Sequence, residues 1–270
     1  MISYSEAFKN LKRKKEGALA AFIVIGDPDY KTSLEIAKRI VDAGADMLEL
    51  GLPFSDPIAD GPSIQAADIR ALNSGMDTKK VFGFIRELRE HTDIPIGLLS
   101  YFNLIYQYGI EKFYIDAKKA RVNSILIADM PIEEYSAVSA YAKNNGLDTV
   151  LIVSPVTDNN RLREIAKNTT GFVYVVSRLG VTGARKDLRS STLSLIRRIR
   201  QFSGKPLCVG FGISSPTHVR NVIEAGADGA IVGSAIVDLI AGNISDKNKM
   251  LHKVYSYVKG MKKATIKQNL

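Results

Sequence analysis

Short apolar segments alternate with helical patterns along this chain of 270 residues. The apolar segments span 18–25, 46–50, 95–99, 124–128, 148–153, 172–176, 206–209 and 228–232. Segments of this length, rich in β-branched residues and bounded by turn residues, are typical of strands buried on both faces of a parallel sheet. Because apolar residues at helical spacing follow each one, the pattern predicts parallel strands joined by right-handed crossover helices. Eight such repeats predict a closed (β/α)8 barrel, the TIM barrel, of the α/β class.

The helical patterns outside the repeats extend this prediction. They add a helix before the first strand, extra helices in the second loop and extra helices near the C-terminus. No linker or low-complexity stretch divides the chain, so we expect a single domain over residues 1–270. The alternative is an open doubly wound sheet, which usually has fewer units.

Composition limits the classes of protein to which the chain can belong. A net charge of +9 is compatible with nucleic-acid binding. However, the basic residues are scattered over predicted helix surfaces, so no nucleic-acid partner is expected. No apolar run reaches the roughly 18 residues that a membrane-spanning helix needs, and the N-terminus lacks an apolar signal core. With one cysteine, Cys208, no intrachain disulfide can form, and we expect a cytoplasmic protein with no membrane partner.

Residues 48–62, LELGLPFSDPIADGP, combine a glutamate inside an apolar strand with a stiff acidic loop. A buried carboxylate such as Glu49 costs several kcal/mol unless it is paired or serves a function. Since side chains alternate along a strand, Glu49 faces the barrel interior if Leu48 and Leu50 pack on helices. Burial there should raise the pKa of Glu49, so that it can donate and accept a proton near neutral pH. The alternative is a structural acid bonded to backbone donors.

Asp60, in the same loop, is the second candidate for catalysis. The prolines of the loop each fix their own φ angle, which stiffens the segment that carries Asp60. In barrels of this kind the active site lies at the C-terminal ends of the strands, where this loop begins. Asp60 could instead cap the helix that follows it. Asp56 is interpreted as a turn residue or a partner contact.

Residue types that other chemistries need are missing from the predicted strand ends. No lysine lies there for a Schiff base, and the chain has no Gly-x-Ser-x-Gly elbow. The three histidines, His91, His218 and His252, are predicted on helices away from the mouth of the barrel. Without a His, Cys and Asp cluster no metal site is expected, and Cys208 is interpreted as a packed strand residue. Carboxylates therefore remain as the candidate proton carriers.

Glycine-rich turns follow the last three predicted strands. Gly212 leads into a helix start, and Gly233 and Ser234 lead into another. Backbone N–H groups at these two helix starts predict an anion site, at the usual phosphate position of this fold. Gly180 and Gly183, after the sixth strand, are candidate hinges of a lid. The alternative is that these glycines only form tight turns.

The motif at 48–62 resembles the signature loop of the tryptophan synthase alpha subunit family. FVYVVSRLGVTGA at 172–184 resembles the mobile sixth loop of that family, and GFGISSP and GAIVGSAIV, at 210–216 and 229–237, resemble its phosphate-binding turns. The resemblance covers essentially the whole chain. It implies a lyase that cleaves indole-3-glycerol phosphate to indole and D-glyceraldehyde 3-phosphate by a retro-aldol step, with no metal or cofactor in this chain.

The resemblance also implies roles for individual residues. Glu49 is expected to move protons at indole C3 and at the glycerol hydroxyl, and Asp60 to stabilise the indole N–H as positive charge develops on the ring. Tyr174 is expected close to Glu49, and Thr182, in the lid, is expected to meet Asp60 on closure. The residues expected to wall the indole are Phe22, Ile64, Leu99 and Ala128, and those expected to bind phosphate are Gly183, Gly212, Gly233 and Ser234.

The family works as an α2β2 complex, in which indole passes through a tunnel to a beta subunit that carries pyridoxal phosphate. The loop containing Pro53 and Asp56 and the segment around Asn103 match the face that contacts this beta subunit. Two other functions remain open: a sugar-phosphate isomerase or epimerase on the same fold, and a non-enzymatic barrel that acts as a binding or activating subunit. The resemblance does not explain the lysine-rich segment 259–267.

Overall fold

A computed structural model describes residues 1–176, 188–210 and 212–267 of the chain. The strands are β1 Ala18–Val24, β2 Met47–Gly51, β3 Ile96–Ser100, β4 Ser124–Ile127, β5 Asp148–Thr149, β6 Leu151–Val153, β7 Val173–Val176, β8 Leu207–Gly210 and β9 Gly229–Val232. The helices are α1 Tyr4–Arg13, α2 Tyr30–Asp42, α3 Pro62–Asn73, α4 Thr78–Arg89, α5 Phe102–Tyr108, α6 Ile110–Lys119, α7 Ser136–Asn145, α8 Asn159–Asn168, α9 Leu188–Arg200, α10 Pro216–Glu224, α11 Ser234–Ala241 and α12 Lys247–Lys263.

The described strands form one parallel sheet in the order β5-β4-β3-β2-β1-β9-β8-β7-β6. Strand β1 pairs with both β2 and β9, so the sheet is continuous across the first and last strands. Only Val150 separates β5 from β6, and these two strands pair with β4 and β7 respectively. They are two halves of one barrel strand. The sheet therefore closes into the (β/α)8 barrel that the sequence predicts.

Two hydrophobic clusters separate the inside of the barrel from the layer between strands and helices. The interior cluster contains Ala20, Met47 and Cys208. The outer cluster contains the residues that alternate with them, including Leu48 and Leu50. Because both faces of each strand are buried, the strands need the continuous apolar sequences from which they are predicted.

Helix α1 closes the N-terminal end of the barrel. It begins at a capping box on Ser3, and its Tyr4 hydroxyl forms a 2.8 Å hydrogen bond with Ser124 Oγ. The Tyr4 ring packs edge-on against Phe172, with centroids 5.3 Å apart. A Cβ on Gly97 would lie 2.8 Å from the Tyr4 hydroxyl, so glycine is needed for this close approach. The interior is thus blocked from this end.

The helices outside the eight repeats are more numerous than the sequence predicts. The N-terminal helix α1, the extra helix α3 after β2, and the C-terminal helices α11 and α12 are all present. Helix α5 is a further extra helix in the loop after β3, and it is absent from the prediction. Its sequence, FNLIYQY, is short and has no clear apolar period, which explains why periodicity does not reveal it.

The lysine-rich C-terminal segment is partly anchored at the N-terminal end of the barrel. Lys262, in α12, forms ion pairs with Glu16 at 2.8 Å and with Asp46 at 2.9 Å. Asp46 also accepts a hydrogen bond from the Leu19 N–H at 2.8 Å. Since these side chains are largely shielded from solvent, Lys262 has a structural role that the sequence alone does not reveal.

Candidate active site

Glu49 points into the barrel from β2. Met47, two residues earlier, belongs to the interior cluster, whereas Leu48 and Leu50 pack in the outer layer. Alternation along the strand therefore places Glu49 on the interior face, the orientation predicted from its sequence position. In the parallel register of β1 and β2, Glu49 lies directly beside Phe22.

The Glu49 carboxyl is buried and incompletely hydrogen-bonded. The residue is 6% exposed, and among the described residues its Oε2 atom has no hydrogen-bond partner. Burial, followed by the nearby charge of Asp60, raises the pKa of Glu49 to about 8. A carboxyl with such a pKa is protonated at neutral pH and can release its proton readily, as a general acid and base must. A purely structural acid would instead be saturated with donors.

Asp60 lies in the loop after β2 and is held by Tyr101. The Tyr101 hydroxyl donates to Asp60 Oδ2 at 2.7 Å and accepts the Ala59 N–H at 3.1 Å. Burial raises the pKa of Asp60, although the hydrogen bond from Tyr101 opposes this shift. Helix α3 has Gly61 as its N-cap and no side-chain cap, so Asp60 does not cap it. The carboxylate is therefore available to a ligand.

Tyr101 is absent from the residues predicted for the site. It follows β3 directly and is 2% exposed. Its ring packs on Phe54 of the acidic loop, with centroids 5.1 Å apart. In the sequence the available signal is a tyrosine at a strand end. Its hydrogen-bond partner Asp60 lies 41 residues earlier, and such a distant pairing appears only in the folded chain.

Phe22 separates Glu49 from the glycine turn after β9. A Cβ on Gly51 would lie 2.8 Å from the Phe22 ring, and one on Gly233 would lie 3.2 Å from it. Gly51 must lack a side chain if the ring is to stay in place, whereas a Cβ on Gly233 would require the ring to move by a few tenths of an ångström. The geometry thus lines up a carboxyl, an aromatic ring and a glycine turn along one side of the barrel mouth.

The other predicted pocket residues lie on neighbouring strands and on α3. Leu99, Ala128 and Tyr174 are partly buried against the interior cluster. The Tyr174 hydroxyl lies so close to Gly210 that a Cβ there would overlap it. The charges of Glu49 and Asp60 add to burial in raising the pKa of Tyr174, because a tyrosinate would be repelled by both. Ile64 is buried in the first turn of α3.

The two described glycine turns differ in the helices that follow them. Gly212 has a φ of +76°, which favours glycine, and a Cβ there would meet no atom of the described residues within 4 Å, its chain neighbours aside. Helix α10, behind it, is capped by Ser215, whose side chain accepts the His218 N–H. Helix α11 begins after Gly233 with Ser234 exposed and has no side-chain cap. The N-terminus of α11 is therefore the more open anion site.

The prediction that all three histidines lie away from the mouth is wrong for His218. Its Nδ1 atom lies 3.1 Å from Gly212 O and 3.3 Å from the Ser214 N. His218 occupies the first turn of α10, and the first turn after a strand stays next to the C-terminal end of that strand. His91 lies in the turn that follows α4, and His252 lies in α12.

The remaining predicted residues are those of the lid and those of the partner surface. Thr182 and Gly183 lie outside the described residues. Of the predicted partner contacts, Asp56 and Asn103 are exposed, whereas Pro53 is buried. The Pro53 ring therefore belongs to the packed base of the loop, and the assignment of Pro53, Asp56 and Asn103 to a partner surface stays a prediction.

A second buried carboxyl, Asp68, lies close to the site on α3 and is absent from the prediction. It is 3% exposed, and within the described part of the chain its Oδ2 atom has no hydrogen-bond partner. Burial, followed by the charge of Asp60, raises the pKa of Asp68 to about 8, while a hydrogen bond with the backbone of Phe54 opposes the shift. Asp27, also nearby, is instead paired with Arg70 through two hydrogen bonds of 2.6 and 2.9 Å.

The described residues contain no group of three or more His, Cys, Asp or Glu side chains arranged to hold a metal ion. In the same part of the chain, every helix is too short or too polar to cross a membrane.

Comparisons with known proteins agree on one family. The family model described as tryptophan synthase alpha chain matches residues 8–266. The tryptophan synthase alpha chain of Methanothermobacter thermautotrophicus is 50% identical over 264 residues, which cover 97% of this chain and 96% of that relative. Tryptophan synthase subunit alpha from Legionella pneumophila has a similar structure, with a TM-score of 0.89 and 32% identity over 98% of each chain. A chain of the tryptophan synthase a2b2 complex from Pyrococcus furiosus has a TM-score of 0.85 and 36% identity, covering 92% of this chain and 98% of that one.

Proposed function

The chain belongs to the tryptophan synthase alpha chain family, and from this premise we propose that it cleaves indole-3-glycerol phosphate to indole and D-glyceraldehyde 3-phosphate. The reaction breaks the bond between indole C3 and the adjacent glycerol carbon. Indole C3 gains a proton, the hydroxyl on that glycerol carbon loses a proton to become the aldehyde, and the bonding electrons return to the ring. The atoms and electrons of this reaction balance without water or an oxidant.

The buried Glu49 carboxyl is the observation that carries this proposal. Its raised pKa, about 8, keeps it protonated at neutral pH, so it can deliver the proton to indole C3. The carboxylate that results can then take the proton of the glycerol hydroxyl. One side chain thus serves both transfers, and the Oε2 atom, which has no partner among the described residues, is the atom that would meet the substrate.

Asp60 has an electrostatic role in the proposed mechanism. When C3 is protonated, positive charge develops on the indole ring and its N–H becomes a stronger donor. A carboxylate already held by Tyr101 at 2.7 Å can accept this hydrogen bond without moving. Preorganised groups of this kind stabilise the transition state more than the substrate, because the charge develops only during the reaction.

The phosphate is proposed to bind at the uncapped start of α11, next to Gly233 and Ser234. The open turn at Gly212 contributes to the same site. Phe22 contacts the Gly233 turn on one side and neighbours Glu49 on the other. The indole end of the substrate would therefore lie toward Glu49, with Phe22 and Tyr174 among its walls.

Indole release from indole-3-glycerol phosphate by the purified chain tests the proposal. We expect Glu49→Gln to bind the substrate in calorimetry but to lose roughly 10²- to 10⁴-fold in kcat, the usual contribution of a general acid–base group. Glu111→Gln, which changes an exposed carboxylate on α6, is the matched control and should keep the wild-type rate. Near-normal turnover by Glu49→Gln would refute the assignment. Activity that disappears in EDTA would contradict a reaction without a metal.

We also propose that the chain binds the tryptophan synthase beta subunit in an α2β2 complex and passes indole to it. Pyridoxal phosphate would belong to the beta subunit and not to this chain. The similarity to a chain of the Pyrococcus furiosus a2b2 complex supports this partner. So do two exposed apolar side chains, since Ile58 is 84% exposed and Tyr106 is 63% exposed.

The predicted contact residues Asp56 and Asn103 lie on the same two segments as these apolar side chains, the loop after β2 and helix α5. These segments are joined where the Ala59 N–H donates to the Tyr101 hydroxyl. A partner that covers this face would therefore contact the two segments that fix Asp60.

A single domain over residues 1–270 and a cytoplasmic location remain predictions of the sequence. The family model, which extends over residues 8–266, and the inclusion of all described strands in one sheet support a single domain.

A further inference from the structure

Helix α5 begins directly after β3, and the residue before it does not cap it. Tyr101 is in the N-cap position, but its side chain makes no capping hydrogen bond. Its hydroxyl is bonded to the Asp60 carboxylate and the Ala59 N–H instead. Because the first N–H groups of a helix have no partner within the helix, those of α5 can be satisfied only by water or by another part of the chain.

Asp129 supplies an acceptor for α5 from the end of the next strand. It follows β4 after Ala128, and its Oδ1 atom accepts the Phe102 N–H at 2.8 Å. A carboxylate at a helix start is favoured by this hydrogen bond and by the partial positive charge of the helix N-terminus. The Ala128 N–H also donates to Ser100 O at 2.9 Å, which continues the pairing of β3 and β4 up to this point. Asp129 thus fixes the start of α5 relative to β4.

This cap differs from the other aspartate caps of the chain in joining two strand ends. Helices α2, α4, α8 and α12 are each capped by the aspartate immediately before them, namely Asp29, Asp77, Asp158 and Asp246. Asp129 instead lies 27 residues beyond the N–H group that it accepts. A local cap stabilises its own helix, whereas this one also holds the loop after β4 against the loop after β3.

The Asp129 hydrogen bond is the first step of a path that ends at Asp60. It holds Phe102, which is joined by a peptide bond to Tyr101. The Tyr101 hydroxyl donates to Asp60 Oδ2 at 2.7 Å and accepts the Ala59 N–H at 3.1 Å. Since Tyr101 is 2% exposed, its packed ring has little freedom to move independently of its backbone. A shift at the start of α5 is therefore transmitted to the loop that carries Asp60.

We propose that Asp129 is a positioning residue for the cleavage reaction. It holds the start of α5 against the end of β4 and thereby sets the position from which Tyr101 orients Asp60. Its effect on Asp60 passes through Tyr101. This inference rests on the proposed function, and it adds a residue after β4 to the residues of β2, its loop and the end of β3 on which that function depends.

The first experiment compares Asp129→Ala with Asp129→Asn in the indole-release assay. Alanine removes the acceptor of the Phe102 N–H, whereas asparagine keeps a side-chain oxygen at that place. For Asp129→Ala we expect kcat to fall roughly 5- to 30-fold, the loss of one helix cap converted to a rate. The change in KM should be smaller, because Asp60 acts on charge that develops only during the reaction. For Asp129→Asn we expect a fall in kcat of at most about threefold.

Asp158→Ala is the matched control for the loss of a helix cap. The Asp158 carboxylate is exposed like that of Asp129, and it accepts the Asn160 N–H at the start of α8, also at 2.8 Å. Because α8 is outside the path to Asp60, kcat should stay within about twofold of wild type. Wild-type kcat in Asp129→Ala would overturn the proposal, as would equal impairment by Asp129→Asn or by Asp158→Ala.

A double-mutant cycle with Tyr101→Phe tests whether Asp129 acts through Tyr101. The phenylalanine variant lacks the hydrogen bond to Asp60 that Asp129 is proposed to align. Asp129→Ala should therefore lower kcat by less than about twofold in the Tyr101→Phe background, against roughly 5- to 30-fold in the wild-type background. A general loss of stability, or a direct contact between Asp129 and the substrate, would give the same fold-change in both backgrounds. That result would overturn the proposal.

Amide hydrogen exchange gives a readout that is independent of turnover. In Asp129→Ala we expect faster exchange at Phe102, which loses its acceptor, and at Ala59, whose N–H is bonded to the Tyr101 hydroxyl. Ala59 decides the question, because it is connected to the substituted residue only through Phe102 and Tyr101 on this path. An unchanged rate at Ala59 would overturn the positioning role. If the wild-type chain released no indole, the proposed function would fail, while exchange at Ala59 would still decide whether Asp129 holds the acidic loop.

Discussion

The Tyr101 hydroxyl donates a 2.7 Å hydrogen bond to Asp60 Oδ2, which ties the residue after β3 to the loop after β2. The same hydroxyl accepts the Ala59 N–H, so both its proton and its oxygen are used. The orientation of Asp60 thus depends on a side chain from the neighbouring strand end, and not on the stiffness of its own loop alone.

Tyr101→Phe should lower kcat/KM roughly 10- to 100-fold. The expected loss follows from the ~1.5–3 kcal/mol that a hydrogen bond to a charged group contributes, converted to a rate. The steady-state rate of indole release measures it. Tyr108→Phe is the matched control, because it removes a 2.8 Å tyrosine–carboxylate hydrogen bond to Asp116 at a distance from the site. Equal kcat/KM for both variants would show that Tyr101 does not position Asp60.

The barrel and the orientation of Glu49 could be predicted from the sequence because both depend on local periodicity. Strand alternation alone places Glu49 opposite Leu48 and Leu50. The hydrogen bond between Tyr101 and Asp60 could not be predicted, because it depends on how the residue after one strand packs against the loop after another. Pairings between distant residues leave no trace in the periodicity of one sequence.

Helix α5 and the position of His218 are two further features that could not be predicted from periodicity in the sequence. The helix is short and lacks an apolar period, so propensity arguments miss it. The sequence predicts the helix that carries His218, but the position of His218 relative to the mouth depends on the tight turn at Gly212, where φ is +76°.

Glu49→Gln should stabilise the fold increasingly as the pH rises. The pKa of Glu49 is raised from 4.5 to about 8 in the folded chain. Between these values the unfolded state loses its proton while the folded state keeps it, so wild-type stability falls as the pH rises and then levels off above about 8. The amide cannot titrate. Its free energy of unfolding relative to wild type should therefore grow by up to about 1.4 kcal/mol per pH unit in that window.

Urea unfolding at a series of pH values measures this difference. The control Glu111→Gln, on the exposed face of α6, should follow the wild-type curve. Curves for Glu49→Gln and wild type that stay parallel from about pH 5 to pH 8 would contradict a protonated Glu49 in the folded state.

Gly212→Asp should raise KM for the phosphorylated substrate more than Gly212→Asn does. Both variants place an L side chain at a φ of +76°, a conformation that Asn and Asp tolerate better than most residues. Apart from the chain neighbours, no atom of the described residues lies within 4 Å of the added Cβ, so steric effects should be small and similar for the two. The variants differ in one negative charge, which repels the substrate phosphate. Substrate titrations at low and high salt measure the effect, and equal KM values would place the phosphate elsewhere.

Ile58→Glu should weaken binding of the beta subunit by roughly tenfold or more, because burying a charge in place of an apolar anchor is costly at the centre of an interface. The side chain is 84% exposed, so the isolated chain should lose neither stability nor its own indole release. Val156→Glu makes a comparable change at a residue that is 69% exposed in the loop after β6, which is not one of the two segments that form the proposed face. Calorimetric titration with the beta subunit compares the two affinities. If Val156→Glu were the more damaging variant, the partner would dock on the β6 side of the barrel, and the exposed residues of the acidic loop would need another explanation.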